Sequence, residues 1–360
     1  MSSRRGIGTR RSLVAIAAAL AGSAAILIAV EAAPASGPAI DRYSVVDLGT
    51  LGGTVSEGAG ISEPGVISGF ASTAAGVTDA AVWGDGQIVD LGTLGGTSAV
   101  AIDVNPRGQA VGLSTDAAGV TRGFLWEDGT MSDLGTLGGP IGRANRINAR
   151  GEIVGFSSTA AGPIHATRWY NGSTTDLGTF GGPFSLAAGI NDAGEIVGAA
   201  TYPGGLEHGA LWRHDEMTDL GALPPAYPDS RTIRINNRGQ ATGWAATAPG
   251  NVEQIVGATH AVLWNDGQVV DLGTLGGPTS RAYGINQHAQ IVGTARTADG
   301  ADHAFLWQDG QMTDANDLLP GDSGWTLTIA FGIDEHGDVV GQGIHNGQRH
   351  GFRLTPIHEQ

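Results

Sequence analysis

The sequence predicts an all-β protein: a seven-bladed β-propeller of four-stranded antiparallel blades, its ring closed by the N-terminal strand joining the last blade. Three observations predict it: a fixed repeat, four strand-like segments in each repeat, and complementary chain ends. The motif Asp47-Leu48-Gly49-Thr50-Leu51-Gly52-Gly53 returns from Asp90, Asp133, Asp176 and Asp271, with Phe180 replacing Leu in one copy. A degraded copy starts at Asp219, and a remnant spans Asp314 to Leu319. The step is 43 residues, with a single step of 52. Trp83, Trp126, Trp169, Trp212, Trp264 and Trp307 keep the same rhythm. A constant period in this range marks a repeat architecture.

Within one unit the strands are separated by turn chemistry. In the sixth unit they are Arg281 to Ile285, Gln290 to Ala295, His303 to Trp307, and a fourth from Gln311 to Thr313. The first turn reads Asn105-Pro106-Arg107-Gly108 in the second unit, and Asn148 to Gly151, Asn191 to Gly194 and Asn236 to Gly239 occupy the same slot. Asn at the first position and Gly at the fourth suit a type I turn. After each tryptophan comes Asp85-Gly86, Asp128-Gly129, Asn171-Gly172, Asp266-Gly267 or Asp309-Gly310, a strong hairpin signal. Four short antiparallel strands per repeat is the form of a propeller blade.

The chain ends fit each other. The last unit stops after Gly351 to Thr355 without a fourth strand, and Arg42 to Gly49 has the form of a fourth strand with no preceding unit. Pairing them would hide two sheet edges. An open solenoid would instead want polar caps at both ends. Residues 40–356 therefore form a single propeller domain of seven repeats.

Residues 1–35 read as an address. Arg4, Arg5, Arg10 and Arg11 precede an apolar run from Leu13 to Val30, and Ala33-Pro34-Ala35 has the small-x-small form of a cleavage site. This is a signal peptide, with an arginine pair of the twin-arginine kind, or else an uncleaved N-terminal anchor. The expected location is extracellular or at the cell surface, with no membrane attachment after cleavage.

Composition excludes several chemistries. The formal net charge is −16, which leaves no field for nucleic acid. Cys is absent and all 19 basic residues are Arg, so disulfides, thiol catalysis, lysine Schiff bases and Walker loops are ruled out. Sixty glycines and 15 prolines stop short of a low-complexity composition, and 41% hydrophobic residues can bury a large core.

The repeated Ile-Asn-x-x-Gly-x-Ile-Val-Gly, His-Ala-Phe-Leu-Trp and Asp-Leu-Gly-Thr-Leu-Gly-Gly segments resemble the bacterial extracellular HAF repeat. The naming tripeptide stands at His303-Ala304-Phe305. Variants occur at His260, His208, His165 and His350, while Asp79 and Arg122 take its first position in the first two units. The resemblance spans nearly all of Tyr43 to Pro356. It implies export or surface location and brings no catalytic residues.

Candidate sites follow from this frame. One histidine per unit is expected to hydrogen-bond a neighbouring turn, so no metal site is expected. The periodic tryptophans pack between sheets with their N–H groups partnered. The Asp-Leu-Gly aspartates cap the glycine-rich crossover. Binding residues are expected where the repeat is broken: Tyr227 and Trp244 in the lengthened fifth unit and Trp325 in the seventh, in loops able to stack on a sugar or ligand ring. The expected function is a monomeric, cofactor-free, non-catalytic module that binds carbohydrate or an extracellular protein. Alternatives are a propeller enzyme, a polysaccharide lyase or hydrolase with a central-channel site, and an anchored surface scaffold. A convergent, non-repeated set of polar residues at one mouth would mark the site.

Overall fold

The computed structural model describes residues 40–63, 65–214, 216–223, 229–248 and 258–357. The segment 1–35, Tyr227, and the insertion around Pro249 and Asn251 lie outside the described residues. Among the described residues the protein is all-β, apart from one 3-10 turn at Ala315–Leu318. The strands pair antiparallel in groups of four, and none of the sheets closes on itself. A representative group is Gly95–Val104, Ala110–Asp116, Thr121–Glu127 and Thr130–Asp133. The first strands of successive groups are Gly52–Ser62, Gly95–Val104, Gly138–Ile147, Ser185–Ile190, Ser230–Ile235, Gly276–Ile285 and Trp325–Ile333.

The turns form for the reasons their residues suggest. Asp85 and Gly86 have φ of 50° and 73°, and the pair at Asp309 and Gly310 has 51° and 82°. Two successive positive φ values define a type I′ hairpin, whose twist matches the flanking strands. In the other turn, Asn105 Oδ1 accepts from the backbone N–H of Arg107 at 3.0 Å and of Gln109 at 3.1 Å. That asparagine replaces the ladder where the chain reverses.

Close approach fixes the glycine of Ile-Val-Gly. A Cβ on Gly112 would lie 1.9 Å from the carbonyl oxygen of Val100, and one on Gly155 would lie 2.0 Å from that of Arg143. The first strand therefore turns a backbone carbonyl against the second strand at this position. It also carries a bulge there in every group, between Ala101 and Asp103 or Ala144 and Arg146, for example. The sixth first strand begins at Gly276, five residues before the expected Arg281, because the Leu-Gly-Gly segment pairs with Thr297.

Packing runs from group to group. Val111 of one sheet shares a core with Ala144, Ile147, Ile153 and Trp169 of the next. Trp212 Nε1 donates to Leu177 O across the sheets at 2.9 Å, and Trp169 Nε1 donates to Gly135 O at 3.2 Å. Truncating such a buried aromatic costs about 3–5 kcal/mol. The same packing joins the last group to the first: Val340 lies in one core with Ile61, Ile67 and Trp83. The strand Tyr43–Asp47 pairs with Gln348–Pro356, so the last group takes its fourth strand from the start of the domain.

The structure corrects the placement of two tryptophans. Trp244 lies inside the strand Ala241–Ala246, and Trp325 opens the strand Trp325–Ile333. Neither is in a loop. Gly243 takes the Ile-Val-Gly slot beneath the carbonyl of Arg231, so pairing carries on through Trp244 before the insertion begins.

Candidate functional site

Two kinds of polar construction hold the sheets together, and they behave differently along the repeat. The first is a His–Asp clasp. The aspartate of Asp-Leu-Gly accepts from the glycine N–H two residues on, at 2.8 Å for Asp90, Asp133, Asp176 and Asp271. Its other oxygen meets the histidine on the adjacent strand. Asp176 lies 2.7 Å from His165 Nδ1, Asp219 2.6 Å from His208, and Asp314 2.6 Å from His303. Where Asp79 replaces the histidine, burial and the charge of Asp90 push its carboxyl upward. Arg122 instead reaches Asp133 at 3.8 Å and Asp116 at 3.1 Å.

In the last sheet the clasp joins residues about 300 positions apart. Asp47 Oδ2 meets His350 Nδ1 at 2.7 Å and His345 Nδ1 at 2.9 Å. Burial opposes ionisation of Asp47, but the Gly49 N–H and both imidazoles outweigh it and hold the carboxyl below its usual range. Trp325 stacks on His345, with centroids 4.5 Å apart and planes 8° apart. Asp47, His345 and His350 could hold a metal ion, as could Glu63, Asp334 and His336. Counting one histidine per unit concealed the first group, since its members come from opposite ends of the domain.

The second construction joins the turns that end the first strands. Asn105 Nδ2 donates to Asn148 O, Asn148 to Asn191 O and Asn191 to Asn236 O, each at 3.1 Å. Asn236 then donates to Asn286 O, and Asn286 to Asp334 O, each at 3.0 Å. Asp334 brings a carboxyl where the others bring an amide, and the first group has Ser62 and Glu63. Glu63 Oε1 accepts from Glu335 N at 2.9 Å, so the series of turns continues from the last group to the first.

A concavity opens among these turns. Its lining draws on every group, from Glu63 and Asn105 to Gln287 and Ile333, and includes Asp103 and Arg234. Asp103 and Arg234 come from the second and fifth groups, and their side chains meet at 3.5 Å. Both occupy the position just past the first-strand bulge. The other occupants are Gly60, Arg146, Gly189, Gly284 and Gly332. This position is not repeated: three groups carry a charge and four carry glycine. The glycines allow close approach, since a Cβ on Gly189 would lie 2.9 Å from Ile233 O.

The three charges do not balance. Asp103 Oδ2 is already held by Ile147 N at 3.0 Å. Arg146 is 8% exposed and donates from Nη1 to Asn145 O at 2.6 Å. Its Nε, like that of Arg143, is buried without a hydrogen-bond partner. Burial, followed by repulsion from Arg234, lowers the Arg146 guanidinium to about 9, against partial support from Asp103. Burial also lowers Arg143. One buried carboxylate, Asp103, thus shares this column with the guanidinium groups of Arg234 and Arg146, and Arg143 adds a further positive charge against Arg146. Guanidinium groups in this state are suited to pair with carboxylate, phosphate or sulfate oxygens. By contrast, the cleft at Arg150, Arg168 and Asp176 has its charges matched, with Glu152 taking Arg150 and Arg168 at 2.7 Å each.

Trp244 and Trp325, two of the residues expected to bind, do not line this concavity. Trp244 is 7% exposed and packs between the guanidinium groups of Arg231 and Arg281, at 5.8 and 5.7 Å from its ring. Trp325 belongs to the closing clasp. Tyr227 is outside the described residues. Asp103, Arg146 and Arg234 were missed, although each stands two residues before the turn-forming Asn and breaks a column otherwise filled by glycine.

These groups of four antiparallel strands define a β-propeller-like repeat protein. No family model matches the chain, and no curated protein matches it. Similar solved structures include TolB from Acinetobacter baumannii, at 10% identity and TM-score 0.43, covering 69% of this chain. This chain spans 64% of that TolB chain's length. YCF48 bound to D1 peptide is 12% identical with a TM-score of 0.48, covering 90% of this chain and 100% of its own. BP39L lectin from Burkholderia pseudomallei is 10% identical with a TM-score of 0.42, covering 89% of this chain and 99% of its own. Among the described residues no helix is long and apolar enough to cross a membrane.

Proposed function

We propose that the chain is an exported, seven-bladed propeller of the HAF-repeat kind, closed by its N-terminal strand, and that it works as a non-catalytic binding module. Its ligand face is the mouth of the central axis. The ring reading is supported by the Tyr43–Asp47 pairing, by Val340 in the core of the first group, and by the Arg234–Asp103 contact across the first strands. Export is supported by the layout of residues 1–35, and the HAF assignment by the tripeptide series through His303-Ala304-Phe305.

The observation that carries the binding reading is the non-repeated Asp103, Arg146 and Arg234 set in an otherwise repeating scaffold. Rigid scaffolds place function where they depart from their own pattern. The partner is a carbohydrate or an extracellular protein presented to this mouth by a monomer. A glycan array and an extracellular-protein capture screen test it, with Arg234→Gln as the mutated control. The reading expects a hit that Arg234→Gln weakens at least tenfold. A hit equally strong in Arg234→Gln, or no hit in either screen, would contradict it.

A further inference from the structure

We propose that the channel behind this mouth holds one small oxyanion, a carboxylate, phosphate or sulfate group, between Arg146 and Arg234, with Arg143 adding positive charge. The proposal deepens the binding-module reading and rests on it for the ligand's origin. Three facts point to an anion. Arg146 is more than nine-tenths buried, and its Nε has no hydrogen-bond partner. Arg143 Nε is likewise buried and unpartnered. Asp103, the carboxylate at the same bulge position, accepts from Ile147 N with one oxygen and lies 3.5 Å from Arg234, so it offsets the charge of Arg146 only in part.

The physical argument is charge balance. Burying a guanidinium is costly unless it is paired and its N–H groups are satisfied. Repulsion between like charges at Arg143, Arg146 and Arg234 adds to that cost. An arrangement with this surplus is unfavourable empty and favourable when an oxyanion accepts the unused N–H groups. Guanidinium matches such oxygens in geometry as well as charge. The glycines at the equivalent positions bring neighbouring backbones close to the long side chains: a Cβ on Gly189, in the group between those of Arg146 and Arg234, would lie 3.2 Å from Arg234 Cα. The ligand must be small or present a terminal anionic group, because the concavity among these turns offers only about 190 Å³. The net charge of −16 would repel an anion from the surface at large, which makes a saturable site easy to tell from general attraction.

Isothermal titration calorimetry of the purified protein at constant ionic strength tests the proposal, with sodium phosphate and sodium galacturonate as probes and chloride as the balancing salt. The expected result is a single saturable site for at least one probe, weakened tenfold or more in Arg146→Gln and in Arg234→Gln. Phosphate binding alone assigns a phosphoryl-type ligand; galacturonate binding alone assigns a carboxylate such as an acidic sugar. A melting curve without added anion accompanies each variant. Arg146→Gln is expected to melt at or above the parent temperature, since it removes an unbalanced buried charge. If that variant fails to fold, Arg143→Gln takes its place in the titration. No saturable site for either probe would overturn the proposal, and so would undiminished binding in both variants. Oxyanion binding together with blank glycan and protein screens would sustain this site while refuting the binding-module reading.

Discussion

The His–Asp clasps and the bulge positions of the first strands sit in the same repeating sheets, yet they obey opposite rules. The clasp recurs in sheet after sheet with distances between 2.6 and 2.8 Å. The bulge position carries Asp103, Arg146 and Arg234 in three groups and glycine in the other four. Repetition marks what every sheet needs in order to pack. Departure from it marks what only one place in the molecule needs. Where the histidine is present each clasp carboxylate meets an imidazole, whereas the bulge position leaves Arg146 Nε without a partner.

The largest effect that sharpens this comparison concerns the one clasp that is also a join. Deleting residues 40–46 removes the edge strand of the last sheet and exposes the site of Tyr43, which is fully buried. Loss of one buried aromatic costs about 3–5 kcal/mol, so circular dichroism should show a much earlier melt. An unchanged melting temperature would mean the join is ornamental.

Next comes the clasp itself. Asp47→Ala removes acceptors for Gly49 and two imidazoles and should cost about 2 kcal/mol, because hydrogen bonds to a charged group contribute about 1.5–3 kcal/mol. Asp271→Ala loses one imidazole at a more exposed site and should cost about 1 kcal/mol after solvent screening. Because the Asp47 carboxyl is held below its usual range, its contribution is present above about pH 4 and is lost as acid titrates it in the folded state. The parent and Asp47→Ala should therefore converge in stability at low pH. Equal costs for the two substitutions would erase the distinction between the join and an ordinary clasp.

A smaller effect comes from Glu57, on the strand Gly52–Ser62 beside the last sheet. Burial pushes its carboxyl up to about 7, with Arg349 opposing. The folded state binds the Glu57 proton more tightly than the unfolded chain does, so stability falls as pH rises from the ordinary carboxylate value through 7. Glu57→Gln should be more stable than the parent by about 1–2 kcal/mol at pH 8, and the gain should vanish below about pH 4.5. Denaturant melts at the two pH values measure it, and a gain that persists in acid would refute the assignment to burial.

Much of the fold was legible because turn and crossover chemistry is local. Asp-Gly pairs, Asn-x-x-Gly turns and Asp-Leu-Gly caps act within a few residues, so sequence spacing reveals them. The role of the histidines was legible for the same reason: His303 and Asp314 are eleven residues apart. The site was not, because its members meet only in three dimensions. Asp103 and Arg234 are separated by 131 positions, and Asp47 and His350 by 303. Trp244 and Trp325 attracted attention as aromatics outside the rhythm, but one fills a strand between two arginines and the other braces a clasp. The residues that break a column within the rhythm, Asp103, Arg146 and Arg234, are the ones on which the proposed site rests.

The most direct test sets one clasp against one bulge residue. Asp271→Ala and Arg146→Met are compared with the parent for melting temperature and for phosphate binding by calorimetry. The account predicts that Asp271→Ala melts about 2–4 °C earlier yet binds phosphate as the parent does, while Arg146→Met melts no earlier and binds at least tenfold more weakly. A clasp variant that loses binding, with an Arg146 variant that keeps it, would contradict the division between a repeating scaffold and a non-repeating site.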